Sequence, residues 1–278
     1  MNRLAAQIQR VLVALDASPH SLAALEAAAE VATRLQVPLW GLFVEDIRLL
    51  QVARLAFSQE IGRFSAVRRQ LDSEQLERQL RVQAKRARRT FTLVAKRAAV
   101  VSEFQVTRGA VGPEILAAVE STDVLVLGQA GWSEIRAKQL GSTARTALAT
   151  PPSLMLIVQV GGHLGAPVQI VYDGSPAAEK CLLLAESFAR AEQWLTVLLL
   201  DGGAVELSAL HAQVQQVLPH RVNIEYRRLT QSNVSRLLQL VEVKGTGLLI
   251  MPLKMVSLAA DALLTLLPQI KTPVLLVR

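Results

Sequence analysis

The stretch "VLVALDASP", residues 11–19, decides the fold, because a second stretch later in the chain repeats its pattern. The second stretch, "VQIVYDGSP", occupies residues 168–176, at a constant offset of 157 residues. In both, an apolar run ends at an aspartate that is followed, after one residue, by Ser and Pro. Such a run predicts a buried strand, and Ser followed by Pro is typical of a helix start. The repeat therefore predicts two homologous domains, which we place at residues 1–160 and 167–278.

Short apolar runs alternate with helical patterns throughout both parts of the chain. Runs of this kind predict strands that are buried on both faces, as in a parallel sheet that is covered by helices on both sides. Half two is predicted to repeat half one with a shorter second helix, near residues 204–217. For half one, the patterns predict strand 10–16, helix 19–35, strand 38–45, long helix 59–98, strand 103–108, helix 112–121, strand 123–128, helix 141–149 and strand 153–159.

The predicted fold class is therefore α/β, with two tandem, open-twisted, parallel five-stranded sheets that are flanked by helices. With a strand order of 3-2-1-4-5 in each sheet, the first and fourth strands are neighbours where the strand order reverses. Ligands of open α/β sheets bind at this reversal, outside the carboxyl ends of the strands. Asp16 ends the first strand and Gly128 ends the fourth, so both are expected to face one crevice.

Composition excludes several classes of protein. The chain has 278 residues, of which 51% are hydrophobic, so disorder is excluded as its main state. The single cysteine, Cys181, cannot form an internal disulfide, and the N-terminus does not resemble a secretory signal, so we expect a cytoplasmic protein. The charge-free run 146–172 is interrupted by proline and glycine, so we expect no transmembrane segment.

The net charge of +7 is concentrated in residues 60–100, which carry eleven Lys or Arg side chains against four acidic ones. Apolar residues between Leu76 and Val94 recur at steps of three and four, which predicts one long helix over this segment. Its arginines lie on the outer face, where they form either a solvated surface or a docking surface for an acidic partner, nucleic acid or membrane headgroups. Because Phe64 and Phe91 are the sole aromatic residues among these charges and no known nucleic-acid-binding module is present, the pattern is weak evidence for nucleic acid.

A glycine-rich loop follows the fourth strand, with Gly128, Gly131 and Gly141 spaced as G-x2-G-x9-G and Ser142 next. The first two glycines allow a sharp turn, and the third precedes a predicted helix whose first N–H groups have no partner within the helix. Such a helix start is a site for anions, most simply phosphate. The hydroxyls of Ser142 and Thr143 are additional donors or ligands of a divalent ion.

Asp16, on the neighbouring strand, suits the sugar of a nucleotide. A carboxylate repels phosphates but accepts hydrogen bonds from ribose hydroxyls, so the crevice favours a nucleotide with its sugar near Asp16 and its phosphates over the loop. The plainer alternative is that Asp16 belongs to an ordinary turn before a helix capped by Ser18.

Together these motifs resemble the universal stress protein family, in its ATP-binding branch. The resemblance lies in "VLVALDASPHSLAALEAA" (11–28), "VEDI" (44–47) and "VLGQAGWSEIRAKQLGSTARTALATPPSLMLIV" (126–158). The signature G-2x-G-9x-G-(S/T) of that branch is matched in full, and the likeness extends over both halves, as in a tandem universal stress protein. It implies a Rossmann-like, adenine nucleotide alpha hydrolase-like fold and ATP as ligand, with Mg²⁺.

The resemblance also assigns roles to residues. Asp16 would contact the ribose, and Ala14, Val44 and Leu127 would line the adenine slot, with Val44 contributing backbone groups. The phosphates would be held by Gly128, Gln129, Gly131, Gly141, Ser142 and Thr143.

The second half lacks this signature. Pro252 stands where the first glycine is expected, it has no N–H to donate, and no glycine follows it. We therefore expect a degenerate, structural second domain. By the resemblance, the last strands of the two domains would pair antiparallel in an internal pseudo-dimer, and a homodimer is a further option.

Catalytic motifs are largely missing from the sequence. The four histidines are scattered, so no metal site is predicted, and neither a G-x-S-x-G elbow nor a Walker loop occurs. The leading hypothesis is a stress-response protein that binds ATP as a regulatory ligand and uses it to bias contacts with a protein partner. The alternatives are a nucleotide-free interaction protein acting through the Arg-rich helix 60–100 and an enzyme that hydrolyses ATP or transfers its nucleotidyl group; slow hydrolysis is compatible with the first.

Overall fold

The fold was analysed in a computed structural model. It describes residues 7–53, 59–61, 68–70, 73–131, 139–189, 194–201, 206–218, 223–230, 237–238, 247–255 and 262–278.

Twelve strands and eight helices are formed by the described residues. The strands are β1 (Arg10–Leu15), β2 (Leu39–Asp46), β3 (Gln59–Ile61), β4 (Arg68–Gln70), β5 (Ser102–Gly109), β6 (Asp123–Gly128), β7 (Leu154–Val158), β8 (Val168–Tyr172), β9 (Trp194–Asp201), β10 (Asn223–Thr230), β11 (Leu248–Pro252) and β12 (Val274–Val277). The helices are α1 (Pro19–Leu35), α2 (Ile47–Ala53), α3 (Ser73–Ala98), α4 (Val111–Ala118), α5 (Ser142–Ala149), α6 (Pro176–Phe188), α7 (Leu207–Val217) and α8 (Ala262–Leu266), the last followed by a 3-10 turn. None of these described helices is both long and apolar enough to cross a membrane.

In the first half, a parallel five-stranded sheet has the order β5-β2-β1-β6-β7. This is the predicted order 3-2-1-4-5, and it confirms the fold class. Strands β1 and β6 are neighbours, with Val11 beside Val124 and Val13 beside Val126. Their carboxyl ends, which carry Asp16 and Gly128, therefore open into the same crevice.

Helix α1 begins as the sequence predicts. Ser18 is the N-cap, its Oγ accepts a hydrogen bond of 3.1 Å from the Ser21 N–H, and Pro19 occupies the first helical position. The helix ends at Gln36, whose φ of 57° is left-handed and whose N–H bonds back to the last turn. The N-terminal cap fixes where α1 leaves β1, and so it positions the turn that holds Asp16.

The second half repeats the strand order, as β10-β9-β8-β11-β12. The two five-stranded sheets join into a single ten-stranded sheet because β12 pairs antiparallel with β7, with Leu275 opposite Leu156 and Val277 opposite Leu154. This is the antiparallel pairing of last strands that the resemblance implied. Every residue of β7 and of β12 is buried at this junction.

The long helix predicted over 59–98, and over 60–100 in its widest form, is wrong in its first part. Residues 59–61 and 68–70 form an antiparallel pair of short strands, and α3 begins only at Ser73. The apolar stripe at helical spacing starts at Leu76, so the upstream residues have no helical face to bury. The helix ends at Ala98, because Ala99 has a left-handed φ of 53° and its N–H bonds back to Lys96.

The sheet separates two hydrophobic cores that each extend across both halves of the chain. One face packs against α1, α3 and α6, and buried residues of these helices, such as Leu25, Phe91 and Leu182, belong to its core. The opposite face packs against α4, α5 and α8, with Ile115 and Leu266 among its buried residues. Because each core includes residues of both halves, the two halves are packed as one body.

Candidate functional site

A cavity of about 250 Å³ opens at the carboxyl ends of β1, β2 and β6, where the strand order reverses. This volume is slightly below the usual range for ligand pockets, about 300–1,000 Å³. Residues 132–138, in the middle of the glycine-rich loop, lie outside the described residues, so the lining given below does not include them. The cavity is the crevice in which the sequence places the site.

Nine of the ten predicted site residues line this cavity. The apolar ones come from three adjacent strands, the polar ones come from the turn after β1 and from the start of α5, and the glycines belong to the glycine-rich loop that begins at the end of β6. They are Ala14, Asp16, Val44, Leu127, Gly128, Gly131, Gly141, Ser142 and Thr143.

Asp16 lies in a tight turn between β1 and α1. Its Oδ1 accepts a hydrogen bond of 2.9 Å from the Ser18 N–H, and the intervening Ala17 has a left-handed φ of 60°. A non-glycine residue in this region is uncommon, and here the turn and the cap of α1 hold it in place. The turn fixes one carboxylate oxygen of Asp16 and directs the other towards the loop that follows β6.

Gly131 lies directly against this second oxygen. A Cβ at position 131 would be 3.0 Å from Asp16 Oδ2. Real Cβ atoms rarely come so close to another atom, so a side chain at 131 would compete for the space beside the carboxylate. The glycine at this position therefore keeps the wall of the cavity open next to Asp16.

Gly141 closes the loop on the other side. Its N–H donates a hydrogen bond of 2.8 Å to the carbonyl of Gln129, and a Cβ on Gly141 would be 3.3 Å from Ala130 Cα. The two ends of the glycine-rich loop therefore run against each other. The Gly141 N–H is used inside the protein and is not a donor into the cavity.

The donors that remain at this end belong to the first turn of α5. Gly141 is its N-cap without a side-chain cap bond, and the Arg145 N–H is the first to bond back, to the Gly141 carbonyl at 3.0 Å. Helix geometry leaves the N–H groups of Ser142, Thr143 and Ala144 without partners inside the helix. All three residues line the cavity, so the positive end of the helix dipole faces it.

Gly128 has a structural role. A Cβ there would be 2.9 Å from the backbone carbon and oxygen of His20 in α1. The absence of a side chain therefore allows α1 to approach the end of β6 closely. This contact, and not room for a ligand alone, accounts for glycine at the first position of the motif.

Gln129, which the resemblance placed among the phosphate contacts, is not part of the cavity lining. Its side chain is 4% exposed, and its Nε2 donates a hydrogen bond of 3.3 Å to the carbonyl of Leu267 in the second half. Its N–H donates to the carbonyl of Val158 at 2.7 Å. Gln129 therefore connects the loop to the second half of the chain.

Several lining residues were not predicted from the sequence. Asp46 and Leu49 come from the end of β2 and from α2, and Leu80 and Gln83 come from α3. Asp46 lies within the quoted "VEDI", so a signal for it existed. Nothing in the pattern of α3 indicated that its inner face reaches the crevice, since the stripe of apolar residues predicts only burial.

His20 lies beside this site without lining it. Burial lowers the pKa of its imidazole below the ordinary value of 6.5, and the nearby Asp16 carboxylate opposes that shift. Its Nδ1 is buried with no hydrogen-bond partner among the described residues. Within the same part of the chain, no three His, Cys, Asp or Glu side chains are grouped so that they could hold a metal ion.

A second cavity, of about 520 Å³, lies between α1 and α3 and adjoins the first. The two share Leu15, Ser21 and Gln83 as lining residues. Arg86 of α3 lines this second cavity only. The crevice beside Asp16 is thus continuous with the groove between α1 and α3.

The second half keeps the turn, but its fourth strand is followed by buried apolar side chains among the described residues. Asp173 Oδ1 accepts a hydrogen bond of 3.0 Å from the Ser175 N–H, as Asp16 does from Ser18, and Gly174 has a φ of 78°. After β11, however, Leu253 and Met255 are buried in one hydrophobic cluster with side chains of the neighbouring strands and helices: Leu200, Leu229, Leu237 and Leu263. Apolar side chains occupy the end of the sheet where the first half has its glycines.

Comparison with known proteins places this geometry in a family. None of the curated proteins compared with the chain matches it. The fold resembles that of a universal stress protein from Archaeoglobus fulgidus, with a TM-score of 0.72, 15% identity and coverage of 97% of this chain and 98% of that one. It also resembles a putative universal stress protein from Pseudomonas aeruginosa, with a TM-score of 0.53, 12% identity and coverage of 99% and 95%. At these identities, the likeness shows the fold alone. The model of the universal stress protein family matches residues 7–159, which is more than half of the chain. The chain belongs to the universal stress protein family.

Proposed function

We propose that the first half of this protein binds ATP, with Mg²⁺, as a regulatory ligand in the cavity beside Asp16. Membership of the universal stress protein family supports a role in the stress response. The bound nucleotide would bias contacts with a protein partner in the cytoplasm. One observation carries the proposal: a carboxylate, a glycine wall and the start of a helix converge on one cavity that has apolar sides.

The apolar side of the cavity suits the adenine base. Ala14, Val44 and Leu127 lie on three adjacent strands, and Val44 and Leu127 are 9% and 2% exposed. A flat aromatic base buries apolar surface well in such a slot, while a few polar groups fix its orientation. The strand ends thus form one wall of the proposed base site.

The start of α5 suits the phosphates. The N–H groups of Ser142, Thr143 and Ala144 are the donors that the helix leaves without partners, and the helix dipole favours negative charge at this end. The hydroxyls of Ser142 and Thr143 are oxygen ligands of the type that Mg²⁺ prefers, together with phosphate oxygens. Gly141 would not donate to the phosphates, since its N–H donates to the carbonyl of Gln129. It would shape the site by holding the two ends of the loop together.

Asp16 suits the ribose. Its Oδ1 is held by the Ser18 N–H, and its Oδ2 lies beside the bare Cα of Gly131, where the cavity is open. A carboxylate fixed in this way accepts hydrogen bonds from neutral sugar hydroxyls at little entropic cost, whereas it would repel phosphate. The base, sugar and phosphate sites then follow one another along the crevice.

The second half would bind no nucleotide in this way. Its Asp173 has the same turn as Asp16, but Leu253 and Met255 are buried where the glycine loop would have to run. Pro252 offers no N–H at the end of β11. We propose that this half is a degenerate copy, a tandem arrangement in which the second domain has a structural role.

The test uses the whole chain and two matched substitutions. The purified protein is denatured by heat, the released nucleotide is identified by mass, and binding of Mg-ATP to nucleotide-free protein is measured by calorimetry. Asp16→Asn keeps the oxygen that accepts from Ser18 and removes the charge. Because a hydrogen bond to a charged group contributes about 1.5–3 kcal/mol, we expect the Kd for Mg-ATP to rise about tenfold to hundredfold.

Asp173→Asn is the control, because it makes the same change in the same turn of the second half. It should leave the Kd unchanged. A folded wild-type protein that neither releases nucleotide nor binds Mg-ATP would contradict the proposal. Equal losses in both variants would contradict the assignment of the site to the first half, and formation of ADP at catalytic turnover would make ATP a substrate.

A further inference from the structure

A basic face runs along the outside of α3, on the side turned away from the sheet. We define the basic face as seven exposed residues of this helix: the cations Lys85, Arg86, Arg89, Lys96 and Arg97, together with the apolar Val82 and Leu93. Val82 is 48% exposed and Leu93 is 62% exposed.

The geometry of the helix places these two apolar residues on the line farthest from the core. Positions 82 and 93 are three turns apart and differ by only about 20° around the helix axis, since each residue advances about 100°. The buried residues Leu80, Phe91 and Ala95 lie on the opposite side. Val82 and Leu93 therefore form the crest of the helix.

The cations flank this crest on both sides. By the same rotation, Arg86 and Arg97 lie on one side of the line through Val82 and Leu93. Lys85, Arg89 and Lys96 lie on the other side. The basic face is thus a ridge with apolar side chains at its top and positive charges along both slopes, over about 20 Å of helix.

The positive charge of this face is not neutralised within α3. The two acidic residues of the helix, Glu74 and Glu77, lie at its start and pair with Arg78 and Arg81. From residue 82 to 98 the sequence contains six cations and no acid. The sixth, Arg88, lies over the ring of Phe104 at 5.1 Å, on the side of the helix near β5.

We propose that the basic face docks this protein on the surface of an anionic lipid bilayer. Cations beside a lipid headgroup layer attract its phosphates, and apolar side chains between them enter the boundary between headgroups and acyl chains. The ridge has both features, with the apolar side chains at the point that would enter deepest. The contact is peripheral, since it is made by the side of one helix that lies along the bilayer surface.

The same features argue against nucleic acid as the partner. Phosphate backbones would be met by the cations, but two apolar side chains at the crest would face a polar groove. Stacking on bases needs exposed aromatic rings, and Phe91, the aromatic residue of α3, is 2% exposed. The charge complementarity and the apolar crest together favour an anionic membrane.

The experiment is sedimentation of the whole chain with lipid vesicles. Vesicles of phosphatidylglycerol and phosphatidylcholine in equal parts are compared with vesicles of phosphatidylcholine alone. We expect binding to the anionic vesicles only, and binding that weakens as salt is added, because exposed charges are screened. Equal binding to both vesicle types, or no binding by the folded protein, would overturn the proposal.

Two variants separate the charges from the crest. In the first, Arg86→Gln, Arg89→Gln and Lys96→Gln are combined. Each cation near a charged surface contributes about fivefold to binding, so the triple variant should bind roughly a hundredfold more weakly. The matched control combines Lys180→Gln, Lys254→Gln and Lys271→Gln, which removes three exposed cations of the second half and should lose less than about fivefold.

In the second variant, Leu93→Ser removes the most exposed apolar side chain of the crest. We expect the variant to bind about fivefold to tenfold more weakly. The reason is that the variant no longer has this leucine side chain to transfer from water into the lipid layer. Val160→Ser, at a residue that is 56% exposed and outside α3, is the control and should bind as the wild type does. Unchanged folding of each variant is verified by its thermal unfolding.

Duplex DNA serves as the competing ligand. The membrane proposal would be overturned, in favour of a nucleic-acid surface, by two results together. The first is that the wild type binds DNA and the triple arginine and lysine variant does not. The second is that Leu93→Ser leaves vesicle binding unchanged. Vesicle binding that is lost in both variants and retained in both controls would support it.

Discussion

The carboxylate of Asp16 and the Cα of Gly131 face each other so closely that a Cβ on Gly131 would lie 3.0 Å from Asp16 Oδ2. The two residues come from different strand ends, after β1 and after β6, and they are 115 positions apart in the sequence. Their contact joins the turn of the first strand to the glycine-rich loop. Among the described residues, this carboxylate is the group that a side chain at position 131 would meet.

Substitution of Gly131 should therefore affect binding more than folding. Gly131 does not have a positive φ, so Gly131→Val introduces no strain in that backbone angle, but its Cβ and methyl groups enter the cavity beside Asp16. We expect the Kd for Mg-ATP, measured by calorimetry, to rise about a hundredfold or more. The loss of even a few contacts, together with the displacement of Asp16, makes the free energy of binding less favourable by about 3 kcal/mol.

The control for this change is Gly165→Val. A Cβ on Gly165 would meet no other heavy atom within 4 Å, and Gly165 has no positive φ, so its substitution should leave binding unchanged. A Gly131→Val protein that binds Mg-ATP as the wild type does would contradict the assignment of the cavity.

Gly128→Ala should instead destabilise the fold. The added methyl group would lie 2.9 Å from the backbone carbon and oxygen of His20, and a backbone cannot move aside as a side chain can. Overpacking of this kind lowers the free energy of unfolding by about 1–3 kcal/mol, which urea denaturation would measure. Gly165→Ala is the matched control, and a Gly128→Ala protein as stable as this control would refute the close contact between α1 and β6.

The stability of the fold should fall as the pH is lowered from 7 through 6.5. Burial lowers the pKa of His20 in the folded state below 6.5, so in the range below that value the unfolded chain binds more protons than the folded one. Stability therefore decreases with acidification in this window, before most carboxylates titrate. His20→Gln should flatten this part of a plot of unfolding free energy against pH.

His163→Gln is the control for that experiment, because His163 is exposed in the segment that connects the two halves. It should leave the pH dependence of unfolding as it is in the wild type. A His20→Gln variant with an unchanged slope between pH 7 and the lowered pKa would show that another group causes the effect.

Arg10→Met should destabilise the opposite end of the first sheet. Arg10 donates from Nε and Nη2 to the two carboxylate oxygens of Asp123, at 2.7 and 2.8 Å, and its guanidinium lies 4.5 Å from the ring centroid of Trp40. Asp123 is 1% exposed, so removal of its partner leaves a buried charge. We expect the free energy of unfolding to fall by about 3–5 kcal/mol in urea denaturation.

Two further variants test the cause. Arg48→Met removes an exposed arginine and should change the stability by less than about 0.5 kcal/mol. Arg10→Met combined with Asp123→Asn should be more stable than Arg10→Met alone, since the buried charge is then gone. A double variant as unstable as the single one would indicate that packing, not the ion pair, is responsible.

Much of the fold could be predicted from the sequence because its signals are local. The apolar run up to Leu15, the cap at Ser18 and the proline after it give a strand and a helix start that need no tertiary information. The same signals recur at residues 168–176, which is why a second, similar half could be predicted as well.

The wrong prediction of a helix at residues 59–61 and 68–70 has a clear physical origin. The segment contains no proline and shares the high charge of the helix that follows, so composition alone extends the helix upstream. The apolar period, which reports the buried face, begins only after Ser73. In this case the period was the better guide to where the helix begins.

The directions of side chains at the site depended on contacts that no local pattern reports. Gln129 turns towards Leu267, a hydrogen-bond partner 138 residues away. Gly128 lies so close to the backbone of His20 that a side chain would not fit there. A motif of spaced glycines indicates where a chain bends. It does not indicate which glycine faces the cavity and which faces another helix.

The pairing of β7 with β12 has a consequence for any shortened form of this protein. A chain that stopped after residue 160 would keep the cavity, but it would leave "LMLIV" of β7 with its outer row of amides and carbonyls bare. A strand edge of this kind, apolar and without charge, is a template for uncontrolled aggregation. Because β12 covers this edge, we expect the second half to prevent the first half from associating with copies of itself.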